Sequence, residues 1–345
     1  MKTSISSKQS ARGKSIINSG VSRDDILWCY QNILERQPES DGTIDGHLST
    51  PDFRQLVLNF LSSQEYIARQ AKTSLHSDEP GLPPFLEKLE IELDANSQSL
   101  NRCAAKIKTA WEHLGNEKAH FSVLTFDAFL PENLNTSIDS FWASGDAEVS
   151  QVTRALSQFG FDKLADKVCV EYGCGVGRVT TSLAKHFKRV HGYDISRNHL
   201  THARARAAEV AASNVEFHEC AQDFQVAIEP CDFFYSLIVL QHNPPPIIAS
   251  LIRLALAALR PSGVAIFQVP TYIVGYRFNL NEWLAANHAL DMQMHCVPQD
   301  VILKIIADSG CQLISVREDG WTGAPGQMIS NTFYCQKSSG IKLAQ

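Results

Sequence analysis

The chain of 345 residues is long enough for two domains, and its 44% apolar and 20% charged content is typical of a globular protein. The formal net charge of −6 gives no electrostatic reason to expect nucleic acid as a partner. No apolar run approaches a membrane span, since the best candidate, 247–259, is interrupted by Arg253. The nine cysteines are scattered without a C-x-x-C pair, which favours buried thiols in a reducing compartment. We therefore expect a cytoplasmic protein.

The N-terminal part of the chain predicts a tail, a helical module and a linker. Residues 1–21 are rich in Ser, Lys and Gly, which indicates a flexible tail, and they lack the apolar segment of a signal peptide. In 22–76, Ser22 precedes two acids, as at a helix start, and apolar residues then recur with helical spacing. The Pro- and Gly-rich stretch 77–84 indicates a linker.

The helical module carries three short motifs: Tyr30-x-x-Ile-Leu-x-Arg36-x-Pro38, Asp41-Gly42 and Phe60-Leu-Ser-Ser-x-Glu-Tyr66. On these residues it resembles a small domain related to phycobilisome linkers, recurrent in bacterial proteins of surface-glycan assembly. That family usually has a Trp after a second acid-glycine turn, and Ile44-Asp-Gly-His47 lacks it. The resemblance implies glycan-assembly partners; a generic helical hairpin is the alternative.

Residues 85–145 predict a connector helix followed by a segment that covers a ligand pocket. Apolar residues run through 85–114 with partly helical spacing, so this helix is either a free-standing connector or the contact of a homodimer. Beyond it, the aromatic side chains of Phe121, Phe141 and Trp142 either cover the pocket or belong to the core.

The rest of the chain, 146–345, alternates helical and strand patterns, which predicts an α/β fold with a Rossmann-like, mostly parallel sheet. Ligands of such sheets bind beyond the carboxyl ends of the strands, at the point where the strand order reverses. Seven strands are expected, at 168–172, 189–193, 214–218, 232–237, 263–268, 312–317 and 331–336.

A glycine-rich loop follows the first of these strands, with glycines at 173, 175 and 177, and Asp194 ends the next strand. Glycine lets the backbone approach a ligand closely, and an acid in that position can hydrogen-bond both hydroxyls of a ribose. The pair therefore predicts a cofactor that contains adenosine. A dinucleotide fingerprint would need its third glycine at Arg178, and an arginine there prevents the close helix–strand packing of a dinucleotide site.

The loop resembles motif I of the class I S-adenosylmethionine (SAM) methyltransferases, and the later segments follow the order of that family. Residues 214–220, 232–242 and 256–270 resemble its third, fourth and fifth strands with their flanking turns. Members have an antiparallel seventh strand inserted between the fifth and sixth, which the pattern at 312–336 fits and the plain dinucleotide fold lacks. The resemblance covers roughly 140–337. In addition, Ser122-Val-Leu-Thr125 and Phe141-x-Ala-Ser-Gly145 are similar to stretches that precede motif I in a bacterial subset of the family.

This resemblance implies SAM as the cofactor and suggests which residues hold it. Glu171 would orient the methionine end, and Gly173 and Gly175 would pass under the cofactor. Asp194 would clamp the ribose, and Ile195 would flank the adenine. The other residues expected at the cofactor are Cys174, Gly177, Arg178, Ser236 and Leu237.

The adenine end of the site departs from the family. Members often have an acid after the third strand that holds the adenine amino group, whereas Cys220 occupies that position. A thiol is a poor acceptor, so we expect the role to move to Asp223 or to the backbone near Gln222.

SAM brings its own activated methyl group, so the protein mainly aligns the reactants, and for a hydroxyl acceptor a base must also take a proton. His242, beside Gln241, is the best-placed base because the pKa of histidine lies near working pH; a turn cap or a water ligand is the alternative. His295 is a second possible base, and no metal is expected because no second acid stands near. The residues expected at the acceptor are Asn243, Gln268, Tyr272, Tyr276 and Arg277.

Three functions are consistent with the sequence. The first is O-methylation of a sugar hydroxyl in bacterial surface-glycan biosynthesis, which rests on the N-terminal module and on His242. The second is methylation of another small acceptor, such as a secondary metabolite. The third is a non-catalytic scaffold with a vestigial SAM fold, against which the intact glycines and Asp194 argue.

Overall fold

The computed structural model describes residues 21–34, 36–61, 63–66, 86–220, 228–286, 292–322 and 326–339. The chain divides into two compact units, Met1–Pro80 and Gly81–Gln345, and each is considered by itself. The predicted linker, and the predicted tail up to residue 20, lie outside the described residues. Across these ranges the structure has no helix both long and apolar enough to cross a membrane.

The first unit contains three helices in its described part: α1 (Arg23–Asn32), α2 (Asp41–Asp45) and α3 (Phe53–Leu61). Ser22 begins α1 with a capping box, in which its hydroxyl accepts the Asp25 N–H at 3.2 Å and the Asp25 carboxylate accepts the Ser22 N–H at 2.9 Å. Side chains from all three helices form one apolar cluster, which includes Ile26, Cys29, Tyr30, Ile44, Leu56 and Phe60. That the whole module is helical stays a prediction.

The second unit begins with β1 (Glu90–Ile91), α4 (Ser97–Glu117), α5 (Ala119–Val123) and α6 (Leu134–Gln158). The side chain of Asn96 caps α4 by accepting the Ser99 N–H at 2.9 Å. Cys103, Ala104 and Ile107 of α4 are buried in the same apolar cluster as the main sheet. This helix is therefore not free-standing, and a homodimer contact through it stays a prediction.

The strands then follow as β2 (Val168–Tyr172), β3 (Arg189–Asp194), β4 (Val215–Glu219), β5 (Cys231–Ser236), β6 (Leu259–Ile273), β7 (Arg277–Phe278), β8 (Cys311–Asp319) and β9 (Met328–Lys337). In the described part, seven of them form one sheet in the order β4-β3-β2-β5-β6-β9-β8, and β1 pairs with β7. Strands β2 to β6 are parallel, and β9 runs antiparallel between β6 and β8. The predicted seven-stranded sheet with a reversed strand near its end is confirmed.

Strand β6 is longer than the predicted 263–268 at both ends. At its start Leu259 pairs with Cys231 of β5, and at its end the ladder with β9 continues to Ile273 opposite Met328. These extensions depend on partner strands, which a local sequence pattern does not contain.

The helices α7 (Thr180–Leu183), α8 (Arg197–Glu209), α9 (Pro245–Ala258), α10 (Leu280–Ala285) and α11 (Gln299–Asp308) complete the unit. Successive residues of a strand point to opposite faces, so Phe233 and Phe234 of β5 enter two different apolar clusters. Because β2 lies between β3 and β5, the strand order reverses beside it. The carboxyl ends of β2 and β5 therefore frame the crevice expected to bind a ligand.

Candidate active site

The loop after β2 has a backbone that only glycine accommodates without strain. Gly173, Gly175 and Gly177 adopt φ of 80°, 53° and 81°. A Cβ on Gly175 would lie 2.6 Å from Val123 Cγ2, and one on Gly177 would lie 3.2 Å from Ala203 of α8. The glycines are therefore required both for the turn and for the close approach of neighbouring segments.

Asp194, at the end of β3, presents a carboxylate of fixed orientation. One oxygen accepts the Gly175 N–H at 2.8 Å, and the other accepts the Ser196 N–H at 2.9 Å. The residue is only 9% exposed, yet it lines the cavity beside the glycine loop, as Ile195 does. Asp194 is therefore hydrogen-bonded directly to the glycine loop.

Cys220 follows β4 and lines the same cavity, with its N–H donating to the Asp194 carbonyl at 2.8 Å. Burial raises the pKa of its thiol to about 12, so the thiol stays protonated and does not supply an acid's negative charge. Gln222 and Asp223, to which the adenine contact was assigned, lie outside the described residues.

Glu171, in β2, lines the cavity with a buried carboxyl that accepts a hydrogen bond from the Thr180 hydroxyl. Burial raises the pKa of this carboxyl to about 8, so it is largely protonated at neutral pH. A cation brought into the cavity would favour its ionised form. The site can therefore adjust its charge to a positively charged ligand.

Arg178, the residue that breaks the dinucleotide fingerprint, joins the glycine loop to α6. Its guanidinium contacts Glu148 Oε2 at 2.5 Å and the Ser144 hydroxyl at 3.2 Å. The other oxygen of Glu148 accepts the Tyr235 hydroxyl at 2.7 Å. Glu148 was missed from sequence, because its partner Arg178 lies 30 residues further along the chain.

Helices α4 and α5 contribute to the wall of the cavity, for which the sequence left open whether Phe121, Phe141 and Trp142 cover it or belong to the core. Trp111 of α4 and Ser122 of α5 line it, and the Ser122 hydroxyl lies 2.8 Å from Nε2 of His199 on α8. Phe141 is instead fully buried in a cluster below the loop, and Phe121 and Trp142 are not among the described lining residues. Phe141 therefore belongs to the core, and the cover is built from residues that sequence reasoning did not single out.

The cavity encloses about 930 Å³, with open solvent at its mouth included. Among its described lining residues, Glu148 is paired with Arg178 and Glu171 is largely protonated, which leaves Asp194 as the remaining charged carboxylate. The lining residues are Ile107, Trp111, Ser122, Val123, Glu148, Glu171, Tyr172, Gly173, Cys174, Gly175, Arg178, Val179, Asp194, Ile195, His199, Cys220, Tyr235, Leu237, Ile238, Val239 and Asn243.

The loop after β5 contains a strained residue, Ile238, at φ 57°. A β-branched residue in this region is rare and costs about 1–3 kcal/mol, and such residues cluster at functional sites. Its N–H donates to Gln268 Oε1 at 2.9 Å, and the Gln268 amide donates to Gln241 at 3.0 Å and to Ser330 at 2.6 Å. Gln268 and Gln241 thus hold the loop in place in this structure and do not line the cavity.

His242 lies behind Trp111, with 5.4 Å between their ring centroids, and is not among the described lining residues. Its Nδ1 is 2.9 Å from the Gln293 carbonyl, to which it must donate, so Nε2 of the neutral ring is an acceptor. Burial lowers the pKa of this imidazole, which keeps the ring neutral near pH 7.

The remaining acceptor-side residues lie at different depths. Asn243 lines the cavity, and its side-chain amide donates to the Val239 carbonyl at 3.0 Å. The Tyr276 hydroxyl and His295 Nδ1 are hydrogen-bonded at 2.7 Å, and neither residue is among the described lining residues. Tyr272 is buried in β6, and Arg277 is exposed in β7. Ser236, one of the expected cofactor residues, is not among the described lining residues. Its hydroxyl donates to the Tyr172 carbonyl at 3.0 Å.

Residues 169–263 match the protein family described as "Methyltransferase domain". The chain is 30% identical over 141 residues to a "Ubiquinone biosynthesis O-methyltransferase" of Hydrogenovibrio crunogenus, covering 40% of this chain and 55% of that protein. It is 33% identical over 106 residues to a protein of the same name from Ralstonia nicotianae, covering 30% and 43%. The chain thus spans about half the length of these curated relatives.

Among solved structures, the magnesium protoporphyrin IX methyltransferase of Synechocystis PCC 6803 with bound S-adenosylhomocysteine (SAH) is similar to this chain. It shares 20% identity at a TM-score of 0.48, over 67% of this chain and 100% of that one. The matched residues 169–263 are a methyltransferase domain, which includes the glycine loop and Asp194. The cofactor consistent with this domain is SAM.

Proposed function

We propose that the whole chain is a SAM-dependent O-methyltransferase that acts on a hydroxyl group of a small molecule or glycan precursor in the cytoplasm. The observation that carries this proposal is the pairing of Asp194 with the glycine loop at the reversal point of the sheet. The relatives are named as O-methyltransferases, which favours an oxygen acceptor.

The residues around the cavity fit the proposed cofactor. Asp194 would hold the ribose, because its carboxylate is already oriented by two backbone N–H groups. Glu171 and the glycine loop would hold the methionine end, and Trp111 and Val123 would exclude water from above. When bound, SAM supplies an activated methyl group, so the protein need not activate the carbon. Its contribution is alignment in a cavity of limited water access.

His242 is the proposed general base for the acceptor hydroxyl. Nδ1 donates to the Gln293 carbonyl, which leaves Nε2 as the proton acceptor, and burial keeps the ring neutral. An acceptor that reaches past Trp111 and Asn243 would bring its hydroxyl to Nε2 in place of the Gln241 amide, which lies 3.4 Å from that nitrogen. The proton would then pass from the hydroxyl oxygen to Nε2 as the oxygen attacks the methyl carbon.

Two classes of hydroxyl acceptor are proposed. A sugar hydroxyl of a bacterial surface glycan, or of its lipid- or nucleotide-linked precursor, is supported by the resemblance of the N-terminal module. A ring hydroxyl of a ubiquinone precursor is supported by the names of the two curated relatives. Trp111 offers a flat apolar surface on which either a sugar or an aromatic ring can stack.

The test is a transfer assay with methyl-labelled SAM and the full chain. Nucleotide sugars, cell-envelope glycan fractions, hydroxylated aromatic compounds and amines are offered separately, and the labelled product is identified by mass. We expect label on the oxygen of one hydroxyl class, and label on an amine would overturn the oxygen assignment. If SAH fails to bind in calorimetry, the chain is not an enzyme of this class, and the scaffold alternative stands.

The base is tested with His242→Gln, using His186→Gln as the control because His186 is an exposed histidine of the same unit. We expect His242→Gln to lower kcat about 10²–10⁴-fold, the usual contribution of a general base, while the SAH Kd changes little. Unchanged kcat in His242→Gln would remove this residue from the mechanism without affecting the cofactor assignment.

A further inference from the structure

Three potential metal ligands meet on strands β3 and β4, away from the cavity described above. His191, Glu216 and His218 each offer one atom, and these atoms all lie within 4.8 Å of one another. His191 and Glu216 are paired across the two strands, and His218 follows Glu216 by two residues, so all three side chains share one face. The sequence did not indicate this set, because 25 residues separate the first ligand from the second.

The spacing of these atoms is close to that of a metal site. His191 Nδ1 is 2.9 Å from His218 Nε2 and 3.7 Å from Glu216 Oε2. A tetrahedral ion with ligands at about 2.0–2.1 Å holds its ligand atoms roughly 3.3 Å apart. The distances of 2.9 and 3.7 Å from His191 Nδ1 lie on either side of this value, and the third distance is within 4.8 Å.

The surroundings leave access for an ion and hold the ligands in place. His191 is buried, whereas the Glu216 side chain is 51% exposed. Both line a groove of about 830 Å³, with open solvent included, which Glu229 also lines. The Tyr193 ring stacks on His218 with 4.7 Å between centroids, which fixes the plane of that imidazole. An ion can therefore reach Glu216 from solvent, while His191 and His218 are already held in place.

We propose that His191, Glu216 and His218 bind a divalent transition-metal ion of the Zn²⁺ class. Two imidazole nitrogens with one carboxylate oxygen suit Zn²⁺, whereas Mg²⁺ and Ca²⁺ take oxygen ligands. Three protein ligands leave a fourth position for water. The ion would connect the edge strand β4 to His191 of β3. Because His191 lies three residues before Asp194, the ion would stabilise the sheet beside the cofactor site.

The test is titration of the full chain, freed of metal by chelation, with Zn²⁺ by calorimetry and with Co²⁺ by visible absorption. We expect one ion per chain and a Co²⁺ spectrum without a thiolate charge-transfer band, since all nine cysteines are buried and none belongs to the ligand set. Glu216→Gln and His218→Gln should each weaken binding on the order of 10–100-fold or more. His186→Gln, which changes an exposed histidine outside the set, should leave binding unchanged.

A second measurement reports on the strands themselves. Zn²⁺ should slow amide hydrogen exchange across Val215–Glu219 in the wild type but not in Glu216→Gln. The Glu216 side chain is exposed, so this variant keeps the fold of the wild type. Absence of stoichiometric binding would overturn the proposal and leave the two imidazoles as a simple hydrogen-bonded pair. Binding of equal strength in His218→Gln and the wild type would overturn it as well, because the ion would then be held elsewhere.

Discussion

Replacement of Asp194 by Asn tests the assignment of the cofactor site most directly. The carboxylate accepts the Gly175 and Ser196 N–H groups, and under the proposed function it also accepts two ribose hydroxyls. A hydrogen bond to a charged group contributes about 1.5–3 kcal/mol, so loss of the two ribose bonds would cost about 3–6 kcal/mol. At about 1.4 kcal/mol per tenfold change, Kd rises roughly 10²–10⁴-fold. Because the amide oxygen retains some acceptor capacity, we expect the lower end of this range for Asp194→Asn.

The assay is SAH binding by calorimetry, with the fold checked by circular dichroism and by denaturant unfolding. Asp232→Asn is the matched control, since the Asp232 carboxylate also accepts a backbone N–H, that of Val168, at 2.8 Å. Asp232 lies near the start of β5 and Val168 at the start of β2, at the opposite ends of these strands from the cavity. Both variants should lose some stability, and only Asp194→Asn should lose SAH affinity. A folded Asp194→Asn protein that binds SAH within about threefold of the wild type would refute the reasoning.

Two further predictions concern the same cavity. Because burial raises the pKa of Glu171 from 4.5 to about 8 in the folded chain, its protonated form contributes stability that is present below about pH 4.5 and lost as the pH rises through 8. Denaturant unfolding between about pH 5 and pH 9 should show this loss in the wild type but not in Glu171→Gln, and equal pH profiles would contradict it. Gly175→Ala should abolish measurable SAH binding, because its Cβ would lie 2.6 Å from Val123 Cγ2 at φ 53°. Gly310→Ala, at φ 67° with nothing within 4 Å, should cost about 1–2 kcal/mol of stability but leave SAH affinity intact.

Much of the sheet could be predicted from sequence because strands such as β2 and β5 are short, largely apolar runs next to a glycine or an acid. The glycine loop and Asp194 could be predicted for a related reason: each stands at the end of such a run, where a parallel sheet brings strand ends together. The extension of β6 could not, since it depends on pairing with β9 far along the chain.

The cover of the site was harder to predict because helical spacing shows that a face is buried but not what it contacts. Trp111 belonged to a recognised helical pattern, yet nothing local showed that it would lie over a cavity. Glu148 stands among buried apolar residues of α6, where an acid needs a partner, but the partner Arg178 is 30 residues away. His199 likewise meets Ser122 across 77 residues.

The cofactor pocket is therefore not a property of the matched family segment alone. Residues 169–263 supply the glycine loop, Asp194 and the strained loop at Ile238, whereas Trp111 and Glu148 come from helices before that segment. Glu148 binds both the guanidinium of the loop and the Tyr235 hydroxyl, so movement of α6 would disturb the loop directly. Since the proposed binding of the donor relies mainly on the loop and the acid, we infer that the preceding helices determine which acceptor can enter. Exchange of Trp111 for a smaller apolar residue should accordingly change the accepted hydroxyl more than the SAH affinity.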